Sequence, residues 1–491
     1  MIEEKVNLPP LPRGWVWTTL SQISKELRAG GTPLSTVKEY YENGTIPFVK
    51  IEDMVNSGKY LLDAKIKITY EGLKHSSAWL VPCDSLLYSM YASYGEATIN
   101  KVEVATNQAI IAYVPPKNLM TLDYVYYYLK SIKHTLKTRG TTQKNLNAQI
   151  VEKIPVPLAP LGEQVRIVAR LEELFTRLDA GVEGLRKVKA QLKRYRQAVL
   201  KYAFEGKLTE EWRKTHNDQI EPATKLLKRI KQERKQKLGS KYKEPPPIDA
   251  SELPKLPENW AWTMLGEALF LSNERYNPTI SEDERFVGLE HIQSGTGKLL
   301  GFGKSSETRS TKNRFKQGDL LYGKLRPYLN KVWVANFNGV CSTDILVFRK
   351  NDFISNEYMA ACLLNQSFVE YTNQHMSGVQ HPRVSYQVLS QYVIPLPPLL
   401  EQLKIAEEVQ RSFSVADEVE TAMEQNLKKA EFLRQSILKA AFEGKLVPQD
   451  PNDEPAEKLL ERIKEERAKS KGEKVINKKK NKPKQLSAYV E

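Results

Sequence analysis

Apolar side chains recur every three or four positions through one long stretch: Ile167, Leu171, Leu174, Leu178, Val182, Leu185, Val188, Leu192, Tyr195, Val199 and Tyr202. That period predicts a single helix carrying a coiled-coil seam. After Pro398 the pattern returns with Ile405, Val409, Phe413, Ala416, Val419, Met423, Leu427, Ala430, Leu433 and Ile437. From Gly162 to Phe204 the first helix would reach roughly 65 Å at ~1.5 Å per residue, and an apolar stripe of that length needs a partner. The second helix of the same chain, running antiparallel, supplies one. Residues 1–160 and 254–398 follow another pattern. Short β-rich runs such as Ser85–Tyr88 and Asp344–Phe348 are separated by Gly, Asn, Asp and Pro clusters, which predicts α/β domains built on irregular sheets. The basic stretch Lys225–Lys243 predicts a helix that gives way to a stiff linker at Pro245, Pro246 and Pro247. The run from Lys469, with Lys478, Lys479 and Lys480, predicts a disordered tail.

These elements come twice. LPRGWVWTTL at 11–20 returns as LPENWAWTML at 256–265, keeping Trp15 and Trp17 as Trp260 and Trp262. IPVPLAPLGEQ at 154–164 returns as IPLPPLLEQ at 394–402, and YRQAVLKYAFEGKL at 195–208 as LRQSILKAAFEGKL at 433–446. KLLKRIKQER at 225–234 returns as KLLERIKEER at 458–467. Each repeat is too long for a solenoid unit and reads as one globular domain plus one helical segment. The fold class expected is α+β: two α/β domains in tandem, separated and followed by long helices that pair as an antiparallel coiled coil with pseudo-twofold symmetry. The expected boundaries are 1–160 and 254–398 for the two α/β domains, and 161–208 and 399–446 for the helices. A basic helical linker fills 209–253, and a helical extension with the basic tail fills 447–491. The recurring Trp phrases and AFEGKL ends fit either one kind of partner bound twice or a shared internal packing role; the sequence leaves both open.

Composition narrows the function. Lys plus Arg number 74 against 59 for Asp plus Glu, a net charge of +15, which favours a polyanionic partner without choosing among DNA, RNA and membrane. The three cysteines, Cys83, Cys341 and Cys362, have no CxxC spacing and suggest neither a disulfide framework nor a zinc site. MIEEKVNLPPLPRGW lacks the apolar core of a signal peptide, and no stretch approaches the ~20 apolar residues of a membrane span, so a soluble, cytoplasmic chain is expected. SGTGKLLG at 294–301 fails as a phosphate loop because Ile292 stands where the first Gly belongs and Leu299 where Ser or Thr belongs; a glycine-rich turn is expected. The six histidines show no metal-ligand spacing, and neither an NPP(Y/F) motif nor a G-x-G-x-x-G opening is present. No catalytic constellation can be assembled, although scattered carboxylates leave a nuclease site open.

With these phrases in view the chain resembles the specificity subunit of type I restriction-modification enzymes over nearly its whole length. RAGGTPLSTVKEYYENGTIPFVKIEDM at 28–54 is similar to the family's opening of a target-recognition domain, with Phe48 where Trp is usual. ERFVGLEHI at 284–292, GDLLYGKLRPYLNK at 318–331 and GVCSTDILVF at 339–348 are similarly typical of the second domain, which lacks a GGTP opening. The resemblance implies two target-recognition domains of different subtype, each reading one half of a bipartite DNA target. It also implies double-stranded DNA, two methyltransferase subunits and restriction subunits as partners, with no membrane. S-adenosylmethionine, ATP and Mg would sit on those partners and none of them on this chain, which would itself be non-catalytic. The specificity chain of a related combined cutting-and-methylating system would look the same, and a coiled-coil scaffold without DNA binding is the structural alternative.

Within the domains, candidate DNA contacts fall in polar loops, where most contacts would go to phosphate and a few to base edges. In the second domain they are Lys324, Arg326, Tyr328, Asn330 and Lys331 after the run GDLLY, and Gln380, His381 and Arg383 in a Gly-led loop. In the first they are Tyr91, Ser93 and Tyr94, then Arg139, Thr142, Gln143, Lys144 and Asn145.

Overall fold

The computed structural model describes residues 8–91, 94–133, 146–216, 218, 220–277, 284–307 and 310–480, with side chains through residue 469 except that of Lys241. The chain divides into two compact units, Met1–Gly184 with Asn426–Glu491, and Leu185–Gln425. Each unit holds one head together with parts of two 44-residue helices, Leu161–Phe204 and Leu399–Phe442.

Both heads are built on a sheet buried on its two faces, which is why their central strands read as unbroken apolar runs rather than alternating ones. In the first head the strand order is Glu26–Ala29, Ile110–Val114, Ser85–Ser89, Ala97–Asn100, Tyr60–Leu61, and a smaller sheet joins Ile66–Ile68, Ile46–Val49 and Ala105–Thr106. Leu86, Tyr88, Ile99, Ile111 and Tyr113 point to the core shared with the helices. Their neighbours Leu87, Ile110 and Ala112 point to a second core with Val49 and Leu61. The second head repeats the scheme: Leu320, Tyr322, Val332 and Phe348 face the helix side, while Leu321, Trp333, Ile345 and Val347 face outward to a separate core. Gly30 and Gly31 of the GGTP phrase lie against the backbone of Thr106 and Ser77, too close for a Cβ.

The repeated phrases meet at one seam in each unit. Val16–Thr19 pairs antiparallel with Pro155–Leu158, and Ala261–Met264 with Val393–Leu396. The prolines are tolerated because each ribbon has only two strands and therefore an unpaired edge. Where the Pro-rich strand enters the long helix, the Glu-Gln dipeptide is buried. The Trp15 indole donates to Glu163 Oε2 at 2.9 Å, and the Trp260 indole to Glu401 Oε2 at 2.7 Å. Gln164 donates to the Ala159 carbonyl and accepts from the Thr121 amide; Gln402 does the same with Pro397 and Ser355. Thr121 and Ser355 are helix N-caps in their heads, so one glutamine ties strand, long helix and head helix together.

Each AFEGKL end closes its helix with a glycine in left-handed backbone, Gly206 (φ +71) and Gly444 (φ +68). The Lys207 and Lys445 amides reach back to the Tyr202 and Ala440 carbonyls at 2.9 and 2.8 Å, the Schellman closure. A Cβ on Gly206 would run into Pro257, and one on Gly444 into Pro12, the prolines of the two LPxxW phrases. The KLLxRI helices, Ala223–Leu238 and Ala456–Lys480, cover the seam: their first amides donate to the Asn259 and Gly14 carbonyls at 2.9 Å. Arg234 then caps the Glu267 and Leu269 carbonyls at 2.9 and 2.6 Å, as Arg467 caps Ser21. Trp15 and Trp260 thus serve internal packing, and Trp17 donates its indole hydrogen to the Pro9 carbonyl.

Two sequence expectations change. Tyr195, Tyr202, Val419 and Leu433, assigned to the seam, are 44%, 50%, 38% and 51% exposed; a 3.6-residue helix drifts off a strict seam, and Arg196, Leu200, Ala203 and Leu438 take the inward positions instead. The Lys-rich run assigned to a disordered tail continues the last helix to Lys480, since Lys, Glu and Ala are all good helix formers. In the second unit Lys189 faces Glu424 while Arg196 faces Asp417, so residue numbers rise on one helix as they fall on the other and the pairing is antiparallel. The first unit repeats the Arg196–Asp417 pair as Arg434–Asp179.

Candidate nucleic-acid interface

In the second head the strands Leu320–Gly323 and Val332–Val334 are joined by a turn whose centre is a short 3-10 stretch, Pro327–Leu329. Arg326 and Asn330 bracket it in left-handed backbone, φ +51 and +43. Such conformations are strained for a residue with a Cβ and concentrate where a loop has a task. Backbone hydrogen bonds bring distant chain to this turn. The Lys324 amide donates to Asp344 at 2.9 Å, Val384 to Lys324 at 3.1 Å, and Arg326 to Pro382 at 2.7 Å. Ser377 and Arg383 exchange amide hydrogens at 2.9 and 2.8 Å, closing a hairpin that turns at Gly378 (φ +99). Gln380 and His381 stand exposed on that hairpin beside fully exposed Val379.

The cluster's charges are arranged unequally. Arg383 grips Asp344 with Nε and Nη2 at 3.0 and 3.3 Å, which raises the guanidinium's pKa. The guanidinium remains 47% exposed and keeps donors free for a second acceptor. Arg326 and Tyr328 are exposed and Lys324 is half-buried. Lys331 is different: its ammonium donates to the Leu289 and Ile292 carbonyls at 2.6 and 2.7 Å, and burial lowers its pKa. It holds the neighbouring loop. Asn330 is buried, its carbonyl accepts from Gly295 at 2.9 Å, and its Oδ1 has no partner. Gly295 lies in the SGTGKLLG stretch, which is a hairpin bridged between Ile292 and Leu299.

The first head carries the same framework. Met90 donates to Ala109 and Leu146 to Met90, both at 2.8 Å, matching Lys324 to Asp344 and Val384 to Lys324. Tyr91 is 40% exposed, and Tyr94 packs half-buried against the head's core. Ser93, Arg139, Thr142, Gln143, Lys144 and Asn145 lie outside the described residues. Sequence reasoning missed Asp344, although the phrase GVCSTDILVF contains it, because nothing local signals a partner 39 residues away. Cys341 and Cys362 are buried and Cys83 is exposed. Among the described residues no three His, Cys, Asp or Glu side chains cluster closely enough to hold a metal ion. No described helix is long and apolar enough to cross a membrane.

Two sheet-bearing heads, each built on the same hydrogen-bonded frame and each locked by the same seam to the long helices, with a loop cluster described on the second, define a duplicated recognition subunit. The profile of the type I restriction modification DNA specificity domain matches residues 12–188 and 284–429. The type I restriction enzyme EcoDI specificity subunit of Escherichia coli is 31% identical over 83% of this chain and 90% of its own length. The EcoKI specificity subunit of Escherichia coli K12 is 24% identical over 96% and 99%. Among solved structures, a chain from a study of complex assembly and conformational transition of the type I R-M system superimposes with a TM-score of 0.61 at 16% identity, covering 89% of this chain and all of that one. The HsdS subunit from Thermoanaerobacter tengcongensis gives 0.51 at 17%, covering 89% and 99%. The chain belongs to the type I restriction-modification DNA specificity family, the non-catalytic component that recognises the DNA target.

Proposed function

We propose that each head reads one half of a bipartite DNA target through its loop cluster, while the paired helices set the spacing and dock two copies of a methyltransferase subunit. The observation that carries this reading is the stitched cluster of the second head, where the loop carrying Lys324, Arg326 and Tyr328 is hydrogen-bonded to the hairpin carrying Gln380, His381 and Arg383, and Asp344 bonds both Lys324 and Arg383. A guanidinium held in a fork by a carboxylate is pre-aimed, which suits bidentate recognition of a base edge or phosphate. In the first head Tyr91 and Tyr94, with Ser93, Arg139, Thr142, Gln143, Lys144 and Asn145, are the corresponding candidates. For the methyltransferase, Tyr195 and Leu433 occupy the same position counted from Glu163 and Glu401, and both are exposed apolar residues. Partner subunits would bring S-adenosylmethionine, ATP and Mg, and restriction subunits would complete the assembly.

Mapping of methylated motifs in a host carrying this chain with its methyltransferase tests the reading: a bipartite motif is expected, and none despite expression overturns it. Four-residue insertions made together after Glu183 and after its counterpart Thr421 lengthen both helices by about 6 Å, roughly one turn. Unchanged half-sites with a gap one to two base pairs longer are expected, DNA advancing ~3.4 Å per pair. Changed half-sites with an unchanged gap would refute the spacer role. A saturating stoichiometry of one methyltransferase per chain would refute the symmetric docking.

A further inference from the structure

The second head's cluster continues onto the first long helix. Tyr328 and Asn330 also line a groove of about 630 Å³ whose far wall is that helix, with Arg186, Lys193, Arg196 and Gln197. Three buried polar atoms of these residues have no hydrogen-bond partner: Arg196 Nε, Gln197 Oε1 and Asn330 Oδ1. Arg196 and Asn330 are 8% and 5% exposed, so bulk water does not serve them freely. The charge on the wall is only partly balanced. Arg196 is paired with Asp417 and Glu420 at 2.8 and 2.9 Å. Lys189 stands 3.9 and 3.7 Å from Glu420 and Glu424. Arg186 and Lys193 are exposed and have no ion-pair partner among the described residues.

The equivalent groove of the first unit provides an internal control. It is smaller, about 250 Å³, and is lined by Glu431, Arg434 and Gln435, which match Lys193, Arg196 and Gln197 in position. Where the first helix has Arg186 and Lys193, the second has Glu424 and Glu431. Its two lysines, Lys130 and Lys133, are both paired with Glu96. The Arg–Asp clasp is common to both grooves, and among the described residues the unpaired positive charge belongs to one alone.

We infer that the groove beside the second head takes a backbone phosphate of the DNA that head reads, making the long helix itself part of the interface on that side only. This rests on the head's being DNA-binding. A phosphate oxygen accepts from Arg196 Nε while Arg186 and Lys193 supply the charge, and water carried with the phosphate serves the two amide oxygens.

The test uses the full chain assembled with its methyltransferase, duplexes with and without the target, and the double variant Arg186→Gln/Lys193→Gln, which keeps helix-forming residues on an exposed face. Affinity should fall roughly 3- to 10-fold for both duplexes, and the slope of log affinity against log salt should flatten by about one to two, with target preference unchanged. Unchanged affinity and slope, while Arg326→Ala still weakens binding, overturns the inference and leaves the head's reading standing. Failure of the wild type to prefer its target removes the head's reading and the inference with it. Millimolar inorganic phosphate that protects the wild type but not the variant from thermal unfolding, with equal DNA affinity in both, marks a free-anion site and overturns the DNA source. Glu431→Gln should leave the slope unchanged; an opposite change about half that of the double variant, in proportion to the one charge altered against two, would make the effect one of bulk charge and overturn the contact.

Discussion

The two seams make the same hydrogen bond from tryptophan to glutamate, yet they treat the glutamate differently. Glu401 accepts from the Trp260 indole, the Thr209 hydroxyl and the Arg213 guanidinium, the last two at 2.7 and 2.9 Å. Glu163 accepts from Trp15, and its second oxygen is buried without a partner. The nearby cation, Arg166, is turned to Asp453 instead, at 2.6 Å. Burial therefore pushes the Glu163 carboxyl above its ordinary value, against the pull of the indole and of Arg166. A repeated motif has preserved the geometry of a joint while its electrostatics diverged: one joint is a buried ion pair and the other a buried carboxyl whose pKa burial raises.

The largest consequence falls on the ionic seam. Glu401→Ala strands a nearly buried Arg213, the Trp260 indole and the Thr209 hydroxyl, and should cost about 3–5 kcal/mol in chemical denaturation. Glu163→Ala strands one indole and should cost about 1–3 kcal/mol. Equal costs would show that the two seams are energetically alike and break the comparison.

Next comes DNA binding. Arg326→Ala should cost about 1–3 kcal/mol on the half-site read by the second head if it touches a base, and leave the other half-site untouched. Arg383→Ala should also act on that half-site alone, with Asp344 losing its partner. Methylation mapping and binding to half-site variants check both; loss at both half-sites would mean the heads are not independent readers. Glycines sharpen the same contrast at lower cost. Gly444→Ala forces a Cβ onto Pro12 in left-handed backbone and should destabilise by about 1–3 kcal/mol, whereas Gly181→Ala, in an open helical position, should stabilise by about 0.5–1 kcal/mol.

The smallest expected effect concerns pH. Because Glu163 holds its proton more tightly folded than unfolded, its contribution to stability falls as pH rises from its ordinary value of 4.5 through the raised folded value, and is flat above that. Glu163→Gln removes this dependence, so the wild type should lose more stability than the variant across that climb. A parallel pair of curves would place the carboxyl in an ordinary environment.

Much of this molecule was legible in its sequence. The duplication, the long helices and the β-rich heads follow from period and repetition, which are local properties. The seam phrases were visible as repeated words whose meaning was not, since Trp15 and Glu163 are 148 positions apart and only the fold joins them. The loop candidates were found as polar residue types. Which of them keep their charge for a partner depended on contacts across the head: Lys331 spends its ammonium on two carbonyls, and Arg383 shares its guanidinium with Asp344. The exposure of Tyr195 and Leu433 escaped period counting because helical drift shifts a seam by fractions of a turn that spacing rules round away.

The seam residues sit at the borders of each repeat: proline and tryptophan before a head, Glu-Gln and then AFEGKL after it. A stretch of gene that begins at an LPxxW phrase and ends at AFEGKL therefore encodes a head with its Trp–Glu joint, while the AFEGKL end and KLLxRI helix that close that head's seam come from the other repeat and share its sequence. Exchange of such a stretch between related genes, at borders that already share sequence, would join in frame and fold against an unchanged neighbour. New target words could arise by recombination in a single event, without the step-by-step repair that a mutated interface inside a continuous core would demand.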